Sequence, residues 1–167
     1  MRLKRRWWLM LGALVLVGKS APAWVPQLLV YAPSSSMPLG WYARAFPERD
    51  VRVGDLVVVE TPESMRAALP AQTPQARLLK AVAGVAGTAV CWHKEGMVVW
   101  APGGTRCYPT QPDLQGEPPL ETCRRVGKDE VVLVGWHPRS FDSRYVGTIP
   151  LGLVQFRVWP LWTWEAR

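Results

Sequence analysis

The chain opens with a basic head and one continuous apolar run, then breaks into short apolar stretches separated by turn residues. Gln27 to Ala32 and Gly40 to Phe46 have the β-branched and aromatic content of strands. Val53-Gly54-Asp55 is a turn that launches the fully apolar Leu56 to Val59. Arg77 to Val85 and Thr88 to Trp92 are two strands divided by Ala86-Gly87, and Lys94-Glu95-Gly96 turns the chain into Met97 to Trp100 as a hairpin. Glu130 to Trp136 is a further buried strand, and Leu151 to Val158 closes the core. Between them, Thr61 to Gln75 is a surface excursion with one helix-capable stretch, Glu63 to Leu69. Ala101 to Leu120, rich in Pro and Gly and without a period, is a long surface loop or a small excursion, and His137 to Arg144 is a polar loop. Many short strands and little helix predict a mainly β fold, coiled antiparallel sheets or a barrel.

The apolar run from Trp7 to Gly18 is short for a full span, which takes about 20 residues. It reads in two ways. Ala21-Pro22-Ala23 has the small-x-small form of a signal-peptide cleavage site. An uncleaved signal-anchor would continue past Lys19, whose stem can snorkel, with Trp7, Trp8 and Trp24 at the interfaces. The anchor is the preferred reading. Both place the N-terminus in the cytoplasm and the remainder across the membrane, and divide the chain into a segment 1–26 and a β-rich domain 27–167. The tail carries Trp159, Trp162 and Trp164, which suit either a core or a lipid headgroup layer.

Charge supports this division. The net charge is +7, from 20 basic and 13 acidic residues. Arg2, Lys4, Arg5, Arg6 and Lys19 supply five of those basic residues, leaving 15 against 13, or +2, for the remainder. The basicity is a topology signal, and no stripe suited to a phosphate backbone remains, which excludes a nucleic-acid partner. Cys91, Cys107 and Cys123 fall in the exported part, where one disulfide and one spare thiol are permitted. A zinc site drawing on these with His93 and His137 lacks the paired C-x2-C spacing of structural zinc. No metal or cofactor is called for.

Two features carry chemistry. Ser34-Ser35-Ser36-Met37-Pro38 follows the N-terminal segment closely, and Lys80 stands alone in the apolar run Leu78-Leu79-Lys80-Ala81-Val82. A serine needs a base, and a lysine serves only when its amine is neutral, which burial among apolar neighbours promotes. Each feature has a plainer reading: the serines as a linker, the lysine as a side chain reaching water from a half-buried strand. His137 and Asp142 make a Ser-His-Asp triad formally available as well.

Taken in order, these segments resemble the type I signal peptidases, and in particular their conjugative-transfer (TraF-type) branch. Ser34-x-Ser36-Met37-Pro38-x-Gly40-x-Tyr42 is similar to the nucleophile box and Val53-Gly54-Asp55-Leu56-Val57 to the next. Leu79-Lys80-x-Val82, followed by Gly87 and Val90-Cys91, resembles the lysine box, and Ser140-Phe141-Asp142-Ser143-Arg144-Tyr145-x-Gly147 the last. The set covers nearly the whole chain. Departures are Lys80-Ala81 where Lys-Arg is common, Ala86-Gly87-Thr88 where Pro-Gly-Asp is usual, and Gly135-Trp136-His137-Pro138 where general signal peptidases have Gly-Asp-Asn. These leave the dyad intact and point away from a housekeeping role.

The resemblance implies Ser36 as nucleophile and Lys80 as general base. It implies the Ser36 amide and the Ser34 hydroxyl as oxyanion donors, Ser140 as the group orienting the lysine, and Asp142–Arg144 as a structural ion pair. It implies a Cys91–Cys123 disulfide, with Cys107 free or replacing either partner. The expected protein is a membrane-anchored serine endopeptidase of the bacterial inner membrane, facing the periplasm. Its substrate would be a pilin or another exported protein, processed for conjugation or type IV secretion, with pilin cyclisation open because an amine as well as water can attack an acyl-enzyme. The alternative is a non-catalytic membrane-anchored β module that assists pilus or secretion-system assembly by strand addition.

Overall fold

The computed structural model describes residues 28–34, 36–45, 50–66, 77–111, 113–114 and 121–165. The N-terminal anchor or signal segment lies outside them. No helix among the described residues is long and apolar enough to cross a membrane.

Eleven described strands form two antiparallel sheets. They are β1 (Leu29–Ala32), β2 (Leu39–Ala45), β3 (Leu56–Glu60), β4 (Arg77–Gly84), β5 (Ala89–His93), β6 (Gly96–Ala101), β7 (Gly104–Pro109), β8 (Thr122–Arg125), β9 (Glu130–Val134), β10 (Ile149–Pro150) and β11 (Val154–Trp164). The larger sheet has the order β1-β2-β11-β3-β4-β9-β10 and the smaller β7-β6-β5-β8. Among the described residues the outer strands of each sheet have one ladder neighbour and the sheets do not close on themselves, so the expected mainly β antiparallel architecture is present. Two one-turn helices, α1 (Glu63–Arg66) and α2 (Ser143–Val146), lie on the connections.

The central strands of the large sheet read as unbroken apolar runs because both of their faces are covered. On one face Leu56, Val58, Leu79, Ala81, Val132 and Val134 pack with Val90, Trp92, Met97 and Val99 of the small sheet. On the other, Val57, Val59, Val82, Val131 and Leu133 pack with Met65 and Ile149. Strand alternation puts Lys80 on this second face, between Leu78 and Val82.

Two expectations are corrected and a third is refined. The stretch Ala101 to Leu120 is not a plain loop: Gly103 and Gly104, both at positive φ, turn the chain into β7, which pairs with β6. β7 and β8 escape a hydrophobic-pattern reading because their side chains are almost wholly exposed. The excursion after β3 is not purely superficial, since Met65 of α1 is 1% exposed and plugs the second core face. The polar loop His137 to Arg144 is exposed only in its first half: Ser140, Asp142, Ser143 and Arg144 are buried.

The C-terminal tryptophans are surface residues. Register aligns Tyr31 with Trp41 and Trp41 with Trp162, and Leu29 with Ala43 and Ala43 with Trp159, so these side chains share the outer face of β1, β2 and β11. Trp162 is 73% exposed and Trp159 60%.

Candidate active site

The serine loop joins β1 to β2 at one edge of the large sheet. Ser34 Oγ and Ser36 Oγ lie 3.2 Å apart. The loop is held on three sides. The Tyr42 hydroxyl donates to the Pro38 carbonyl at 2.6 Å, closing the turn behind Ser36. Met37 is 2% exposed and anchors the loop in the first core cluster. The Ser36 carbonyl accepts from the amides of Trp136, at 2.8 Å, and His137, at 3.3 Å. The loop is therefore docked on the segment that leaves β9, which is more than a linker requires.

Lys80 is 3% exposed, and its Nζ donates to Ser140 Oγ at 2.6 Å. The plainer expectation, a lysine reaching water, does not hold. Desolvation lowers its pKa from 10.5 to about 8. The Asp142 carboxylate opposes the shift and the Arg144 guanidinium adds to it. A substantial neutral fraction near physiological pH makes this amine capable of accepting a proton.

Gly135 sits where the serine and lysine segments meet. A β-carbon there would lie 2.1 Å from Ser140 Oγ and 2.8 Å from the Ser36 carbonyl oxygen, both inside van der Waals contact. Only glycine lets the hydroxyl that engages Lys80 and the backbone of Ser36 approach the same point. Its amide donates to Asp142 Oδ2 at 2.8 Å. Motif comparison meets this residue only as the first of Gly135-Trp136-His137-Pro138 and gives it no role; the available signal was a glycine directly after the buried run Val131 to Val134.

Asp142 and Arg144 hold the segment that carries Ser140. Arg144 donates to both carboxylate oxygens, Nε to Oδ1 at 2.8 Å and Nη2 to Oδ2 at 2.7 Å. This bidentate pair is buried at 3% and 0% exposure. The remaining guanidinium hydrogens go to the carbonyls of Pro109, Pro138, His137 and Ser140, so the charge is fully hydrogen-bonded. Ser143 was read only as part of the last motif. Its hydroxyl accepts from the Leu133 amide at 2.9 Å and its carbonyl from Trp92 Nε1 at 2.8 Å, stitching α2 to β9 and to the small sheet.

The histidine triad does not form. His137 is exposed and its Nδ1 accepts from the Arg139 amide, while Asp142 is buried and committed to Arg144 and Gly135. Cys91 and Cys123 face each other across β5 and β8 and are joined by a disulfide, which removes both from any zinc site. Cys107 is a free, exposed thiol.

A buried lysine of lowered basicity, oriented by a serine and bordering a docked serine loop, is an arrangement able to activate a hydroxyl for acyl transfer. No curated protein matches the chain. Among solved structures it is similar to a signal peptidase I from Enterococcus faecalis V583, at 14% identity and a TM-score of 0.41, over 66% of this chain and 97% of that one. The family described as "Signal peptidase, peptidase S26" matches residues 7–159, nearly the whole sequence. The chain belongs to this signal peptidase family, and with it to the serine endopeptidases that process exported proteins.

Proposed function

We propose that the protein is a Ser36–Lys80 dyad endopeptidase, anchored in the bacterial inner membrane with its β domain in the periplasm. The observation that carries this reading is the buried Lys80 amine, hydrogen-bonded to Ser140 and depressed to about 8, beside the docked Ser34–Ser36 loop. In the first step Ser36 Oγ attacks the scissile carbonyl and its proton passes to Lys80 Nζ. The negative charge on the carbonyl oxygen is met by the Ser36 amide and the Ser34 hydroxyl. Lys80 then protonates the leaving amine as the C–N bond breaks, giving an ester on Ser36. Water, deprotonated by the same amine, releases the acyl group and restores the serine.

The aromatic outer face of β1, β2 and β11 supports a membrane-side location. It flanks the serine loop on both sides in sequence, and Trp and Tyr are the residues favoured at lipid headgroups. The conjugative branch, a pilin-like substrate and its cyclisation by an attacking amine rest on the motif forms Ser34-x-Ser36-Met37-Pro38-x-Gly40-x-Tyr42 and Ser140-x-Asp142-Ser143-Arg144.

The test is processing of a co-expressed candidate pilin, followed by mass spectrometry of the product. Wild type is expected to give a cut or cyclic product, and Ser36→Ala and Lys80→Met to give neither while remaining folded by circular dichroism. Processing retained by either variant sinks the dyad.

A further inference from the structure

The Ser140 hydroxyl orients Lys80, so whatever holds Ser140 decides how the amine is presented. Its own backbone is held locally: the amide donates to the His137 carbonyl at 2.9 Å and the carbonyl accepts from Arg144 Nη2 at 2.9 Å. The residues on either side of it are tied instead to a distant stretch, Pro109 to Gln111 at the end of β7 together with Asp113. Before Ser140, Arg139 Nη1 donates to Asp113 Oδ2 at 2.5 Å. After it, the Phe141 ring stacks on that of Tyr145, with centroids 5.2 Å apart and planes 11° from parallel. The Tyr145 hydroxyl in turn accepts from the Gln111 amide at 2.7 Å. Arg144 Nη1 adds a bond to the Pro109 carbonyl at 3.1 Å. The stretch is fixed from its other side as well. Thr110 donates through its amide to the Glu95 carbonyl at 3.1 Å and through its hydroxyl to the Lys94 carbonyl at 3.0 Å. It is a strap, anchored on the turn between β5 and β6 and gripping the catalytic segment at Arg139, Arg144 and Tyr145.

We infer that Tyr145 and Arg139 are positioning residues: through the strap they fix the backbone on both sides of Ser140, and with it the direction of the Ser140 hydroxyl toward Lys80. Neither touches the reacting atoms; both act through Ser140. Tyr145 is the stronger tie. It is 3% exposed, so its hydroxyl answers the Gln111 amide away from bulk water, where an unanswered amide is costly. The Arg139–Asp113 pair is more than half exposed on both sides and is the weaker tie. The strap leaves from the end of β7 and does not run through the β5–β8 pair that the disulfide joins. The effect on cleavage rests on the peptidase reading of the same site.

The experiment uses the full chain in detergent micelles and two readouts. The first is kcat and KM on a quenched fluorescent peptide with a small-x-small cleavage site. Tyr145→Phe keeps the stacked ring and removes only the acceptor. It is expected to lower kcat roughly tenfold with KM within about twofold of wild type, the mark of lost positioning. Arg139→Asp should lower kcat about two- to fivefold, and the exchanged pair Arg139→Asp/Asp113→Arg should recover it. That surface exchange carries the test if Tyr145→Phe does not fold. In a Ser140→Ala background Tyr145→Phe should change kcat by less than about twofold, because both substitutions remove the same contact. The second readout needs no cleavage: the Lys80 titration, followed by NMR of side-chain-labelled lysine and assigned by its loss in Lys80→Met. Asp142 and Arg144, the charged groups that act on Lys80, stay in place in every variant. Tyr145→Phe should move this titration toward its position in Ser140→Ala. If wild type cuts no peptide and the titration still moves, the peptidase reading fails and the positioning stands. A titration at the wild-type position in Tyr145→Phe, or a loss of kcat that persists undiminished in the Ser140→Ala background, overturns the inference.

Discussion

Lys80 Nζ donates to Ser140 Oγ at 2.6 Å, across sixty residues of sequence and between two elements that never share a ladder. An ammonium with three donors and, among the described residues, this one hydrogen-bond partner is poorly compensated for its burial, which is why its basicity falls. Catalytic readiness and a stability cost are here one fact.

The pH dependence follows in both properties. Cleavage needs the neutral amine, so kcat/KM should rise about tenfold per unit below the lysine pKa and level off above about 8. The unfolded chain holds its lysine proton up to about 10.5 and the folded one only to about 8, so between these values the unfolded state binds more protons and stability rises with pH. Below about 8 the charged lysine costs the fold about 3 kcal/mol. Lys80→Met should therefore be inactive yet melt higher than wild type at pH 7, with the difference shrinking by pH 10. A lower melting temperature for Lys80→Met at pH 7 would show that the amine is not desolvated.

Gly135→Ala tests the shared approach point. Its methyl would displace Ser140 Oγ, the Ser36 carbonyl or both, so activity should fall on the order of 100-fold, as for a misplacement near 1 Å. Stability should drop only by the 1–3 kcal/mol of overpacking. Paired denaturation and kinetic measurements decide it. A variant within twofold of wild-type activity contradicts the placement.

Arg144→Met leaves the Asp142 carboxylate buried without its charged partner and takes the guanidinium donor from the carbonyls of Pro109, Pro138 and Ser140. A loss of about 3–5 kcal/mol is expected, read as the urea midpoint. A shift no larger than that of an exposed ion pair would mean that water reaches this segment.

The Cys91–Cys123 bridge spans 32 residues, and opening it should cost about 3–4 kcal/mol by loop entropy. It lies in the small sheet, and Lys80 and the serine loop belong to the large one. The double variant Cys91→Ala/Cys123→Ala should therefore melt lower but still cleave at low temperature, and Cys107→Ser should match wild type in both. Inactivation of a variant that remains folded would tie the small sheet to the chemistry.

Much of this was legible in the sequence where burial leaves a pattern. β3, β4 and β9 stand out because both faces are covered and their runs are unbroken. β7 and β8 do not, because their side chains meet solvent and only ladder bonds define them. Ser36, Lys80, Ser140, Asp142 and Arg144 could be singled out by motif, but the state of Lys80 could not. An apolar run reads alike whether its lysine faces water or a buried hydroxyl; only the fold of residues 135–144 over that strand decides. Gly135 stands in a compared motif, but its role was hidden for the same reason: it is a lack of volume at a meeting of segments far apart in sequence.

The position of β11 has one more consequence. β2, which carries the serine loop, and β3, which leads to the lysine strand, do not pair with each other; β11 lies between them and pairs with both. This strand follows every other described one. On the proposed reading, a chain made from its N-terminus would hold Ser36 and Lys80 on half-sheets that share no ladder until β11 arrives. The order of synthesis would then delay the assembly of the dyad to the last described strand.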